Sequence, residues 1–140
     1  MKLIIGGAYQ GKLAYAKEKY DASDGWIDGR TCRLEEIACC KGINQFHEYV
    51  KRMLQQEDGD YSLQSDHLLN LEEQAGVFVN ELVKKNPELL IVSNELGYGI
   101  VPMEKQDRLW REAVGRVCTC LAEHSEEVIR VVCGVGIKIK

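Results

Sequence analysis

"KLIIGGAYQGKLAYAKEKY", residues 2–20, decides the fold. A short apolar run enters two glycines, and from Lys12 onward helix formers place Leu13, Ala16 and Tyr20 at helical intervals. That order predicts strand, loop, helix. Within the loop, Gly6, Gly11 and Lys12 meet the pattern G-x-x-x-x-G-K-[ST], in which backbone N–H groups cradle phosphate and the final hydroxyl holds Mg²⁺. Leu13 stands where the hydroxyl belongs. Gly6, Gly7 and Gly11 allow positive φ and close backbone approach, with Ala8, Tyr9 and Gln10 completing the loop, so that successive amides and the helix N-terminus can face an anion. A plain strand-to-helix turn has the same outline. Lys12 favours phosphate, because a cation at a helix N-terminus otherwise opposes the helix dipole. Leu13 cannot ligate a metal, which makes Mg²⁺ a doubtful cofactor and favours loss of phosphoryl transfer over its retention.

Working outward, "ELLIVSNE" (88–95) is an unbroken apolar run of the kind buried on both faces of a parallel sheet. "EVIRVV" (127–132) is another strand, and "GIKIK" alternates strictly, predicting a last strand with one wet face. A brief strand is expected around Trp26 and Ile27, then a helical turn in "LEEIACCKG" closed by Gly42. Ile43, Phe46, Val50 and Leu54 mark an amphipathic helix; Leu68, Leu71, Ala75, Phe78 and Leu82 mark a longer one stopped by Pro87; Leu109, Ala113, Val117 and Leu121 mark a third over 103 to about 123. Strands separated by helices of this length predict a single α/β domain with a mostly parallel sheet and helices on both faces, residues 2–5, 89–93 and 127–132 being parallel neighbours.

The chain has 140 residues, 45% apolar and 29% charged, with a net charge of -4. It lacks the basic excess of a duplex binder, so nucleic acid is not an expected partner. "MKLIIGG" is too short for a secretory or membrane segment, which points to a cytoplasmic protein with no membrane partner. Cys32, Cys39, Cys40, Cys118, Cys120 and Cys133 include no C-x-x-C pair and are expected to be reduced core thiols. In "EDGDYSLQSD" (57–66), Asp58, Asp60 and Ser62 imitate a calcium loop, but Leu63 and Leu69 occupy the places of its glycine and glutamate, leaving a solvated loop.

Three segments carry a family likeness: "GGAYQGK", "VSNELGYGIVP" and "GRVCTCLAEHSEEVIRVVCGVGIKIK". Together they resemble the adenosylcobinamide kinase / adenosylcobinamide-phosphate guanylyltransferase family of cobalamin biosynthesis, over the first twenty or so residues and nearly all of 87–140. The family pattern has a loop G-G-x-R-S-G-K-S, a turn N-E-x-G-x-G-I-V-P, an arginine-bearing helix and a close G-x-x-x-K-I-K, corresponding here to residues 6–13, 94–102, 108–116 and 134–140. Tyr9, Gln10 and Leu13 depart from it. The middle is shorter by several dozen residues, which the resemblance implies include those bearing the histidine that takes up GMP. The resemblance implies a nucleotide-binding domain of P-loop type over 1–140, ATP or GTP as cofactor, a corrinoid substrate, and assembly into homo-oligomers. It implies that Lys12 acts in catalysis and that Asp28 of "WIDG" is the metal acid. A catalytically reduced relative, binding nucleotide or acting through protein contacts, is the alternative.

Glu95 follows the buried strand and opens a glycine turn, at the sheet end where α/β proteins hold ligands. General base, metal ligand, or a carboxylate capping backbone N–H groups are all open to it, with the resemblance favouring a site. Arg108 and Arg111 share a helix face suited to phosphate or to a partner's carboxylate; a solvated face is the plainer account, preferred for Arg116 and by a small margin for these two. His47, His67 and His124 have no base or ligand at useful spacing.

Overall fold

The computed structural model describes residues 1–55 and 70–140. The chain runs β1 (Lys2–Ile5), α1 (Lys12–Lys19), β2 (Trp26–Asp28), α2 (Leu34–Cys39), β3 (Gly42–Asn44) and α3 (Phe46–Gln55), then α4 (Leu71–Lys85), β4 (Leu90–Val92), α5 (Lys105–His124), β5 (Glu127–Val132) and β6 (Val135–Lys138). These strands form one sheet in the order β2-β3-β4-β1-β5-β6. β1 pairs in parallel with both β4 and β5, as expected, and β6 alone is antiparallel.

Alternation along the central strands explains the layers. Leu3 and Ile91 enter the larger core with Phe46, Phe78, Val117 and Leu121, whereas Ile4, Val92, Ile129 and Val131 meet Ala16 and Tyr15 of α1 on the other face. Helices thus cover both faces. Phe46, Tyr49 and Phe78 stack at the centre of the larger core, with ring centroids 6.0 to 6.3 Å apart. α4 begins with a reciprocal cap between Asn70 and Glu73 and stops before Pro87.

Four expectations are corrected. Ile43 belongs to β3, not to a helix, because Gln45 in the left-handed region (φ 57) breaks the chain before Phe46. Gly42 opens that strand rather than closing α2; the Trp26 ring lies where its Cβ would be, 2.6 Å away. The tail does not bury its apolar side: Val135, Ile137 and Ile139 are exposed on the edge strand beside β5. Of the cysteines only Cys32 is buried, while Cys39 and Cys133 are exposed; all six are free. Leu68, His67 and the acidic stretch 57–66 lie outside the described residues.

Parallel pairing sets the carboxyl ends of β1 and β4 side by side. Ser93 N donates to Ile4 O and Glu95 N to Gly6 O, both at 3.0 Å, so the loop after β1 and the turn after β4 share one edge.

Candidate functional site

Steric necessity shapes the loop at residues 6–11. Gly6 has φ 151, and a Cβ on it would lie 2.3 Å from Val131 O, backbone that cannot move aside. Gly11, in the left-handed region, precedes α1 with no side-chain cap. Gln10 latches the β5–β6 hairpin to the loop: its Oε1 accepts from Cys133 N at 2.7 Å and its carbonyl from Gly134 N at 2.9 Å. Cys133 and Gly134 both have positive φ, as a tight two-residue hairpin turn requires. Tyr9, also at positive φ, points fully into solvent.

The loop opens on a cleft of about 400 Å³ lined by residues 8–14, by Arg30, by Asn44, Gln45, His47 and Glu48, and by Val92 and Asn94. Lys12 is only 7% exposed, and its ammonium folds back to donate to Gly7 O (2.6 Å) and Asn94 Oδ1 (2.7 Å). Burial lowers its pKa, opposed by the charge of Glu95. Behind Asn94 lies His47, buried against Trp110, whose indole N–H donates to the His47 carbonyl at 2.8 Å. Asn94 reaches both ring nitrogens, Nδ2 to Nε2 at 3.0 Å and backbone N to Nδ1 at 3.2 Å. A neutral imidazole accepts through one nitrogen, so these two contacts compete for it. Burial first, then the charges of Lys12 and Lys51, hold this imidazole down to about 4, and it is neutral at pH 7.

The remaining site residues of the sequence analysis lie elsewhere. Asp28 ends β2 and gives both carboxylate oxygens to Arg30, with Nε to Oδ1 at 3.0 Å and Nη2 to Oδ2 at 2.5 Å; this guanidinium holds Asp28 below the usual carboxylate range. Glu95 accepts from Arg130 Nε at 3.0 Å, and the Arg130 guanidinium lies 5.2 Å from the Tyr98 ring. Arg108 donates to the carbonyls of Pro102 and Met103, and Arg111 to those of Gly97, Gly99 and Ile100. Both arginines therefore brace the turn, and neither lines the cleft. Arg116 pairs with Glu72 at 3.0 Å on an exposed face.

The side-chain donors at the expected metal positions do not fit a divalent cation. The Leu13 side chain offers no oxygen, Asp28 and Glu95 are paired with guanidinium groups, and Asn94 Oδ1 faces an ammonium, which leaves Glu48 as the one carboxylate in the lining. Among the described residues no group of three or more His, Cys, Asp or Glu side chains is placed to hold a metal. Sequence reasoning missed Arg30, Asn44, Gln45 and Glu48 as cleft residues and rated His47 low. Only the tertiary fold sets them there; the local pattern ran residues 43–54 together as one helix.

Comparison with known proteins gives this edge a context. The family described as "Cobinamide kinase / cobinamide phosphate guanyltransferase" matches residues 43–139. The chain is 45% identical over 53 residues to the bifunctional adenosylcobalamin biosynthesis protein CobU of Salmonella typhimurium and, to the same extent, to that of Escherichia coli. Each match takes in 38% of this chain, which spans 29% of the relative's length. Among the described residues no helix is long and apolar enough to cross a membrane.

Proposed function

Because the chain belongs to the cobinamide kinase / cobinamide phosphate guanyltransferase family, we propose that its cleft binds the phosphates of ATP or GTP and that the protein serves cobalamin biosynthesis as a nucleotide-dependent transferase on a corrinoid. The observation that carries this reading is Lys12. A buried ammonium, at the first turn of a helix without side-chain cap or acidic residue, is satisfied among the described residues by one loop carbonyl and one amide oxygen. Neither partner is charged, so an anionic phosphate would compete well for it. The N–H groups of the first turn of α1, which carries no side-chain cap, and those of the glycine loop supply the rest of the anion site, with residues 1–140 acting as one nucleotide-binding domain. A cytoplasmic location and homo-oligomeric assembly belong to the same proposal.

Leu13 and the pairing of Asp28 and Glu95 favour a second reading for the chemistry: binding outlasts transfer. In-line transfer needs charge neutralisation that the hydroxyl-bound metal ordinarily supplies. Titration with ATP and GTP, with and without Mg²⁺, tests both. Lys12→Ala should weaken triphosphate affinity about tenfold or more, since a charge-assisted contact contributes about 1.5 to 3 kcal/mol. Unchanged affinity would place the nucleotide elsewhere, and rapid corrinoid phosphorylation by the unaltered chain would refute the second reading.

A further inference from the structure

We propose that Arg30 is a second phosphate-binding cation of the cleft, neutralising the triphosphate end of the nucleotide where a hydroxyl-bearing loop would use Mg²⁺. The inference rests on nucleotide binding at residues 6–11, and names the group that makes such binding independent of metal.

Placement carries it first. Arg30 lies just past β2, lines the same cleft as Lys12 and the first turn of α1, and so brings a positive charge from a different element to the space a phosphate chain would fill. Its orientation is fixed from behind. Asp28 takes Nε and Nη2, while Nη1 has no acceptor among the described residues, leaving part of the planar fork free for phosphate oxygens. Asp28 thereby changes part: the acid expected to hold a metal orients a guanidinium instead. Arg30 Nε and the Asp28 oxygens lie 3.0 and 3.1 Å apart, a geometry that leaves no oxygen of this carboxylate free of the cation.

Within the lining stand two cations, Lys12 and Arg30, and one acid, Glu48, which is 3.6 Å from His47 Nε2; Asp28, paired with Arg30, lies outside the lining and leaves the guanidinium to face the cleft. Lys12 is a buried point charge close to the loop amides, whereas Arg30 is 62% exposed in its side chain. Two cations at two depths suit a chain of phosphates better than a single one. A monophosphate would engage Lys12 and the amides and leave Arg30 unused.

Calorimetric titration of the full chain in EDTA tests this, with ATP and GTP as probes and AMP and GMP as controls. Wild-type triphosphate affinity should fall less than about threefold when Mg²⁺ is replaced by EDTA; a fall of more than about tenfold would overturn the proposal. Arg30→Ala should weaken ATP and GTP about tenfold and AMP and GMP less than about twofold, with Arg30→Lys between, because the charge returns without the fork. An exposed side chain can be replaced without loss of the core, so the fold is preserved. Equal losses for triphosphate and monophosphate, or none, would overturn the role of Arg30; a loss retained in Lys12→Ala would then leave nucleotide binding standing. A wild-type chain with affinity for neither triphosphate would overturn both.

Discussion

Two glycine-rich turns sit side by side at the carboxyl edge of the sheet and are built on opposite principles. Residues 6–11 are fixed by backbone sterics: Gly6 fits against Val131 O, Gly11 against Gly134, and Gln10 holds the hairpin. Residues 97–103 have no such packing, since a Cβ on Gly97 or Gly99 would meet nothing within 4 Å, and their backbone is held by the donors of Arg108 and Arg111. Tyr98, Ile100, Val101 and Met103 are left exposed. The same residue type thus serves two ends. In the first turn glycine removes a clash so that amides and a lysine face a cleft; in the second it lets a backbone curl around arginines.

The largest effect expected from this contrast is on stability. Gly6→Ala should cost about 3 kcal/mol or more, because a Cβ meets backbone and φ is unfavourable, whereas Gly97→Ala should stay within about 0.5 kcal/mol. Urea unfolding of the two variants checks it, and similar midpoints would break the steric account.

Acid should expose a second asymmetry. His47, beneath the first turn, faces Lys12 across Asn94, with Lys51 and Glu48 on its own helix, and its pKa falls from an ordinary 6.5 to about 4. Between those values the unfolded chain binds a proton that the folded chain refuses, so stability is present above pH 6.5 and lost as pH falls toward 4. The loss attributable to this group is up to about 3 kcal/mol. His47→Gln should flatten that part of the stability profile, and an unaltered slope would remove His47 as its source. The turn at 97–103 holds no buried imidazole and should be indifferent to this range.

The smallest effect is local. Arg111→Ala should leave global stability within about 1 kcal/mol, as surface changes usually do, yet raise proteolysis within 97–103, because three carbonyls lose their donor. Unchanged cleavage would mean that the turn is held by something other than its arginines.

Much of the fold was legible in residues whose chemistry is local. The runs at 2–5, 89–93 and 127–132 are short and largely apolar and read as strands of one sheet, and Leu71, Ala75, Phe78 and Leu82 repeat as one face of a helix. β3 was not legible: three residues are too few to show a period, and Ile43 happened to continue the helical spacing of Phe46 and Val50. The cleft divides likewise. Gly6, Gly11 and Lys12 announce themselves by spacing within one loop, and the stretch "NELGYGIVP" by its likeness to a family.

What the sequence determined by itself is therefore the central strands and the long helices, the glycine loop with its lysine, and the missing hydroxyl at Leu13. Each depends on neighbours in the chain. Only the tertiary structure decided which partner each charged or polar side chain would take: Asn94 between Lys12 and His47, Arg30 on Asp28 at the cleft, Arg130 on Glu95, and Arg111 on the turn. The physical reason is range. Backbone preference and hydrophobic period act over a few residues, whereas most of these pairings join groups that meet only after parallel strands have closed the sheet.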